Sequence, residues 1–283
     1  MDSGNVGEWF ARGSIPRSPA RLVWLGHSTV LLDLDGVRLL TDPVLRDRVS
    51  YLRRQVASVD AASYAGVDAV LLSHLHFDHL DLPSLLMVDR GTPLIVPRGG
   101  GRLLQRHGFG CVTEVEAGEE VRIGSLAVRA VHAEHPGARS PLGPRAPALG
   151  YVLSGGLRIY FAGDTGAFDG MAEIGRPLLH LALLPVGGWG PLAPLWERLP
   201  VPVPGHLDPR RAAEALRLLR PLVAVPVHWG TYAPLGLGHA MSASSGDPPA
   251  DFRRHAANLA PGVEVRVPNP GQTLRLDTIG GPP

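Results

Sequence analysis

Ser73-His74-Leu75-His76-Phe77-Asp78-His79-Leu80-Asp81 places three histidines and two aspartates within eight residues, directly after the apolar run Ala69-Val70-Leu71-Leu72. That run is short and aliphatic and reads as a buried strand. The cluster therefore falls where a strand ends and its loop begins. In an extended segment residues i and i+2 point to the same side, so His74 and His76 can reach one ion. Asp78 and His79 come after the chain has turned and can face a second ion nearby. Imidazole nitrogen with carboxylate oxygen suits zinc, with iron and manganese as alternatives. At this chain's His and Asp frequencies, H-x-H-x-D-H arises by chance in roughly one such sequence per thousand, so a solvated polar loop is the weaker reading. The segment is incomplete by itself, because two ions need donors from elsewhere.

Three further apolar runs end in a donor. Residues 126–131 lead into His132-Ala133-Glu134-His135, 157–161 into Ala162-Gly163-Asp164-Thr165, and 222–227 into His228-Trp229-Gly230-Thr231. A lone histidine after a strand is ordinarily structural. Three such sites beside an incomplete cluster point instead to one site at the rim of a sheet, where α/β folds build theirs.

Composition narrows the class. The chain has 283 residues, 45% apolar and 19% charged, which indicates a globular protein with a sizeable core. A net charge of +1 gives no electrostatic footprint for nucleic acid. All basic residues are arginine, which we attribute to codon bias. The single Cys111 excludes an internal disulfide and a thiolate-rich zinc site. The polar lead-in, residues 1–19, does not read as a secretory signal, so the expected location is the cytoplasm. Residues 177–196 carry no formal charge, but four prolines and a Gly-Gly-Trp-Gly turn argue for a buried strand and an apolar loop rather than a membrane span.

Strands are expected at 21–25, 29–34, 37–41, 67–72, 93–97, 112–115, 121–123, 126–131, 149–153, 157–161, 181–186, 222–227, 263–267 and 273–276. Asp35-Gly36 joins two of them as a hairpin turn. Helices are expected at 82–89, 100–107, from Pro209 through Arg220 with Asp208 as N-cap, and at 252–259. Residues 44–65 read as irregular. Strands alternating with short helices, without a low-complexity linker, give a single α/β domain over 1–283 with two mixed sheets and helices outside.

His74-x-His76-x-Asp78-His79, the His at 132–135, Gly163-Asp164-Thr165 and His228 together resemble the metallo-β-lactamase superfamily. Trp24-Leu25-Gly26-His27-Ser28-Thr29, Leu40-Thr41-Asp42-Pro43, Phe161 to Thr165, Gly205-His206-Leu207-Asp208-Pro209 and Val227 to Thr231 resemble its branch containing N-acylphosphatidylethanolamine-hydrolysing phospholipase D and related bacterial hydrolases. The resemblance spans about residues 21–235. It implies an αββα sandwich with a two-metal site on one edge. His74, His76 and a later histidine, His135 rather than His132, would hold the first ion. Asp78, His79 and His228 would hold the second, with Asp164 bridging. Oxygen-reducing relatives carry Glu where this chain has His76, which favours two zinc ions over iron.

The chemistry that follows is hydrolysis. A water between two zinc ions is acidified toward neutral pH and attacks an ester, lactone, amide or phosphodiester, while the ions polarise the attacked oxygen. Asp78 would also orient that nucleophile. By resemblance His206 stands at the site mouth, where it can donate to a developing oxyanion or a leaving group. His27 and Asp42 read as support. Trp189, with Leu192, Leu195 and Trp196, can form an apolar lip, and Arg139 or Arg145 can pair with phosphate. The expected partner is a small-molecule or lipid-like substrate, and the sequence leaves the oligomeric state open. A lactonase is the alternative enzyme, and a non-catalytic metal-binding interaction module the alternative of another class.

Overall fold

The structure, a computed structural model, describes residues 19–139, 143–187, 205–235 and 246–279. In chain order its strands are β1 (Arg21–Gly26), β2 (Thr29–Leu34), β3 (Val37–Thr41), β4 (Arg48–Val49), β5 (Leu52–Arg54), β6 (Ala69–Leu71), β7 (Leu94–Pro97), β8 (Val112–Val115) and β9 (Glu120–Ile123). They continue as β10 (Leu126–His132), β11 (Leu149–Ser154), β12 (Arg158–Phe161), β13 (Leu181–Pro185), β14 (Val223–Val227), β15 (Tyr232–Pro234), β16 (Glu264–Val265) and β17 (Thr273–Arg275). The α-helices are α1 (Leu82–Leu85), α2 (Gly101–Arg106), α3 (Met171–Ile174), α4 (Pro209–Leu219) and α5 (Pro248–Leu259).

One sheet has the order β17-β1-β2-β3-β6-β7-β8 and the other β16-β14-β13-β12-β11-β10-β9. Each is half antiparallel and half parallel, with β3, β6, β7 and β8 parallel in the first and β12, β13, β14 and β16 in the second. The inner parallel strands β6, β7, β13 and β14 read as continuous apolar runs because both of their faces are covered. In β13 and β14, Leu181, Leu183, Val223 and Val225 enter the core between the sheets. Their alternating neighbours Ala182, Leu184 and Ala224 pack instead against α3, α4 and α5. In β6, Ala69 and Leu71 face the sandwich core, while Val70 faces the outer layer with Leu85 of α1 and Leu104 of α2. The period-two side-chain alternation of a strand thus builds three apolar layers, and the architecture is the expected αββα sandwich.

Two local readings change. Residues 44–65 are not irregular throughout: β4 and β5 pair as a hairpin, and β5 pairs antiparallel with β15 in a separate three-stranded sheet. These strands are two or three residues long, too short for an alternation pattern to show, and the partner β15 comes nearly 180 positions later. The helix expected at 82–89 stops at Leu85. Asp81 caps it by accepting from Ser84 N, and after Leu86 the chain tightens into turns, Met87 to Ser84 O and Val88 to Leu85 O. Among the described residues, no helix is long and apolar enough to cross a membrane. Residues 1–18 and the candidate lip at Trp189, Leu192, Leu195 and Trp196 lie outside the described residues.

Candidate metal centre

All the donors sit at one edge of the sandwich, because they follow the C-terminal ends of strands that run the same way. Asp42 follows β3, the His74–Asp81 loop follows β6, Asp164 follows β12 and His228 follows β14. His135 comes three residues after β10, and His27 occupies the turn between β1 and β2.

The first cluster is His74, His76 and His135, whose ligand-capable atoms lie within 4.8 Å of one another. His74 Nε2 is 3.0 Å and His135 Nε2 3.1 Å from His76 Nδ1. Protons can be assigned from the other end of each ring. His135 Nδ1 must donate to Gly205 O at 2.7 Å, because a carbonyl only accepts. Ser73 Oγ donates to Asp42 Oδ2 at 2.6 Å, so it accepts from His74 Nδ1 at 2.9 Å. The Nε2 atoms of both these rings face His76 Nδ1. The bare Nε2 lone pairs of His74 and His135 therefore converge on one point beside His76. Burial pushes His135 down to about 4 and His74 well below the usual histidine range, so protonation does not relieve the convergence near neutrality. A cation does. Gly205 makes this approach possible: at φ +77° it brings its carbonyl to His135, and a Cβ there would meet Pro136 at 2.7 Å.

The second cluster contains Asp78, His79 and His228, with His27 beside them. His228 Nδ1 donates to Gly187 O at 2.7 Å, and His79 Nδ1 donates to Asp42 Oδ2 at 2.7 Å. Their Nε2 atoms then face each other at 3.1 Å. Asp42 is wholly buried and also accepts from Ser73 N at 2.7 Å, so one carboxylate orients ligands of both clusters. Burial raises the Asp42 carboxyl, against the opposing pull of His79 and Ser73. Burial also opposes a charged His79, but Asp164 and Asp42 outweigh it and hold that imidazole well above its usual range. The field of the site thus calls for positive charge at this point.

Asp164 stands between the clusters. Its carboxylate is 3.3 Å from His228 Nε2, 3.4 Å from His79 Nε2 and 3.6 Å from His206 Nδ1, and it also groups with His135. Burial would push this carboxyl up, yet His228 and His79 hold it well below the usual range, so it is ionised. Its Oδ1 is buried and, among the described residues, accepts no hydrogen bond. A buried, ionised oxygen without a donor is costly unless a cation meets it. Together with the converging lone pairs, this fits the nitrogen and carboxylate donor set to bound metal.

Every residue named from sequence as a candidate ligand is drawn into this edge. His132 is not: its side chain is about half exposed, near Glu134 Oε2 at 3.3 Å and edge-on to Phe168. His206 lies beside the first cluster, its ring 4.7 Å from that of His135, and burial lowers its pKa. Arg139 serves the backbone of the metal-binding loop. Its Nη1 donates to Leu75 O and Leu80 O at 2.8 and 2.9 Å, and its guanidinium covers the Phe77 ring at 4.2 Å, clamping the His74–Asp81 loop. Arg145 meets Ala138 through a backbone bridge. Sequence reading undervalued His27, whose Nε2 lies 3.1 Å from Asp78 Oδ2. The sequence names it as support, from the Trp24–Thr29 motif and its place between β1 and β2.

A sandwich of this topology with a histidine and aspartate double cluster at its edge defines a class of metal-dependent hydrolases. The model of the beta-lactamase superfamily domain matches residues 37–229, and the chain belongs to this metallo-β-lactamase superfamily as a metal-dependent hydrolase. It is 33% identical over 236 residues to an N-acyl-phosphatidylethanolamine-hydrolyzing phospholipase D of Caenorhabditis elegans, covering 75% of this chain and 64% of that one. It is 29% identical over 277 residues to a UPF0173 metal-dependent hydrolase of Aeropyrum pernix, covering 91% of this chain and 98% of that one. Among solved structures, Igni18, a metallo hydrolase of Ignicoccus hospitalis, shares the fold at TM-score 0.68 and 24% identity, over 91% of this chain and 98% of that one.

Proposed function

We propose that the chain is a two-ion hydrolase, with zinc as the resident metal, acting on a phosphodiester or ester of a small, lipid-like molecule. His74, His76 and His135 would hold one ion, Asp78, His79 and His228 the other, and Asp164 both. The observation that carries this reading is Asp164, an ionised carboxylate set between two groups of imidazoles with one buried oxygen that meets no donor among the described residues. The nitrogen and oxygen donor set favours zinc, with iron or manganese as the alternatives. Bound there, two divalent cations supply an acidified water and an electrophile for the substrate's oxygen.

The chain's own residues do the rest. Asp78 is held ionised, since the His27 hydrogen bond and the nearby His79 and His228 outweigh the effect of burial. Its carboxylate accepts a hydrogen bond from the attacking water and so fixes the direction of attack. His206 is neutral near pH 7 and carries one N–H, which it donates to the oxygen that gains charge or leaves. The nematode phospholipase among the relatives supports a lipid-like diester. The test is a panel of phosphodiester, carboxylic ester and lactone substrates offered to zinc-loaded and chelated protein. Zinc-dependent turnover of a diester or ester is expected. Turnover confined to lactones would replace the substrate class, and inertness of the protein with both ions bound would favour a non-catalytic metal-binding module.

A further inference from the structure

His27 is within reach of the second cluster, and by proximity alone it would count as a fourth donor beside Asp78, His79 and His228. Ring geometry separates the two roles. Imidazoles on one tetrahedral ion, each bonded at about 2.0–2.1 Å, hold their ring centroids roughly 5 Å apart. His74 and His76 are 4.6 Å apart, His74 and His135 4.6 Å, His76 and His135 4.9 Å, and His79 and His228 5.0 Å. His27 and His228 are only 3.8 Å apart, with planes inclined by 37°. Rings that close lean on one another instead of splaying about a common tetrahedral ion, although His27 lies 5.4 Å from His79 and its ligand atom falls within 4.8 Å of those of His79 and His228.

The turn that carries His27 is built to hold it in that place. The residue is buried and left-handed, at φ 53°. Its N–H donates to Thr231 Oγ1 at 2.7 Å, and its carbonyl accepts from His228 N at 2.9 Å and Trp24 Nε1 at 2.8 Å. Trp24 in turn stacks on Trp229, with centroids 4.9 Å apart. Gly26 before it, at φ +113°, leaves room that a Cβ would take from Thr231 Cγ2, 2.7 Å away. The β1–β2 turn of one sheet is thereby locked to the His228 turn of the other, and His228 is itself left-handed at φ 61°. What this lock delivers is one imidazole nitrogen, Nε2, at 3.1 Å from Asp78 Oδ2.

We infer that His27 is a positioning residue and not a ligand: its Nε2–H donates to Asp78 Oδ2 while its ring backs His228, so that two donors of the second ion are set from a single turn. The inference rests on the two-ion reading and adds the element that aims its second half. Imidazoles and carboxylates bound to metals are commonly oriented by such a neighbour, whose loss typically lowers metal affinity about 10–100-fold.

Two measurements test it. In the full chain loaded with spin-active cadmium and carrying isotope-labelled histidine, imidazole NMR reads which rings are bonded to the ion. Cadmium coupling is expected at His74, His76, His79, His135 and His228, and none at His27. Coupling at His27 would make it a ligand and overturn the inference. Zinc titration then compares His27→Gln with His27→Asn. The Gln amide nitrogen reaches the place of Nε2, whereas that of Asn reaches only the place of Nδ1. Asn tolerates the left-handed backbone better than Gln, so a merely structural role favours Asn. We expect both variants to take up two ions at saturation, with the second bound near wild-type affinity by Gln and about 10–100-fold more weakly by Asn. Equal affinities, or the better affinity in Asn, would overturn the inference. Wild-type protein taking up fewer than two cations would sink the two-ion reading and this inference with it, whereas coupling at His27 in protein holding two cations would sink this inference alone.

Discussion

At the scale of single residues, Asp42 and Asp164 are the two carboxylates on which the candidate ligands depend, and they do different things. Asp42 fixes tautomers. In Asp42→Asn an amide N–H would confront either Ser73 or His79 Nδ1–H, driving the His79 proton to Nε2 and removing the lone pair that faces the second site. The expected outcome is a second ion bound about 10–100-fold more weakly, read by zinc titration, with the first ion also weakened because Ser73 loses its acceptor and with it the orientation of His74. Asp164→Asn keeps the volume but removes the charge between the clusters. We expect paired binding and turnover to be lost together, with activity down on the order of a thousandfold; near wild-type turnover would refute the bridging role. Much of this was legible from strand-end spacing, since residues that leave one sheet edge share a site. The choice of His135 over His132 was not a matter of spacing alone, because it depends on Gly205 offering a carbonyl from the segment ahead of α4. The sequence marks His27 as support, but what it supports was not legible, because that depends on a left-handed backbone and on Asp78, 51 residues away.

At the scale of elements, the strands were readable because parallel strands covered on both faces are unbroken apolar runs, as in Leu181–Pro185 and Val223–Val227. The β4–β5–β15 sheet was not, since its strands are too short to show a period. Arg139 also escaped the sequence reading: an arginine after a ligand histidine suggests an anion partner, whereas this one serves the backbone of the His74–Asp81 loop. Arg139→Ala should leave the Leu75 and Leu80 carbonyls without that donor and cost about 1–3 kcal/mol locally. Hydrogen exchange should accelerate across 75–80 and metal affinity should fall. Arg139→Lys should rescue only in part, because a single ammonium lacks the flat fork that also covers Phe77. Unchanged exchange in the loop would contradict the clamp.

At the scale of the molecule, a binding edge made from both sheets ties stability to protons and metal. In the metal-free protein His27 and His135 are held down to about 4 by burial, against about 6.5 in an unfolded chain. The unfolded state therefore takes up protons first as the solution is acidified. Stability from these groups is intact above about pH 6.5 and is lost progressively as pH falls toward about 4. His79 has the opposite sign: its raised pKa contributes stability below about 6.5 that is lost as pH rises through the folded value. Calorimetry of chelated protein should therefore show a melting temperature falling on acidification, while zinc in excess should raise it near neutrality by mass action on the folded state. A melting temperature indifferent to zinc would speak against a site formed only on folding.

The most direct measurement is anomalous diffraction at the zinc edge from crystals of the zinc-loaded protein. Two peaks about 3.5–4 Å apart are expected, one among His74, His76 and His135, the other among Asp78, His79 and His228, with the Asp164 carboxylate touching both. A single peak, or two that leave Asp164 unbound, would contradict the two-ion centre.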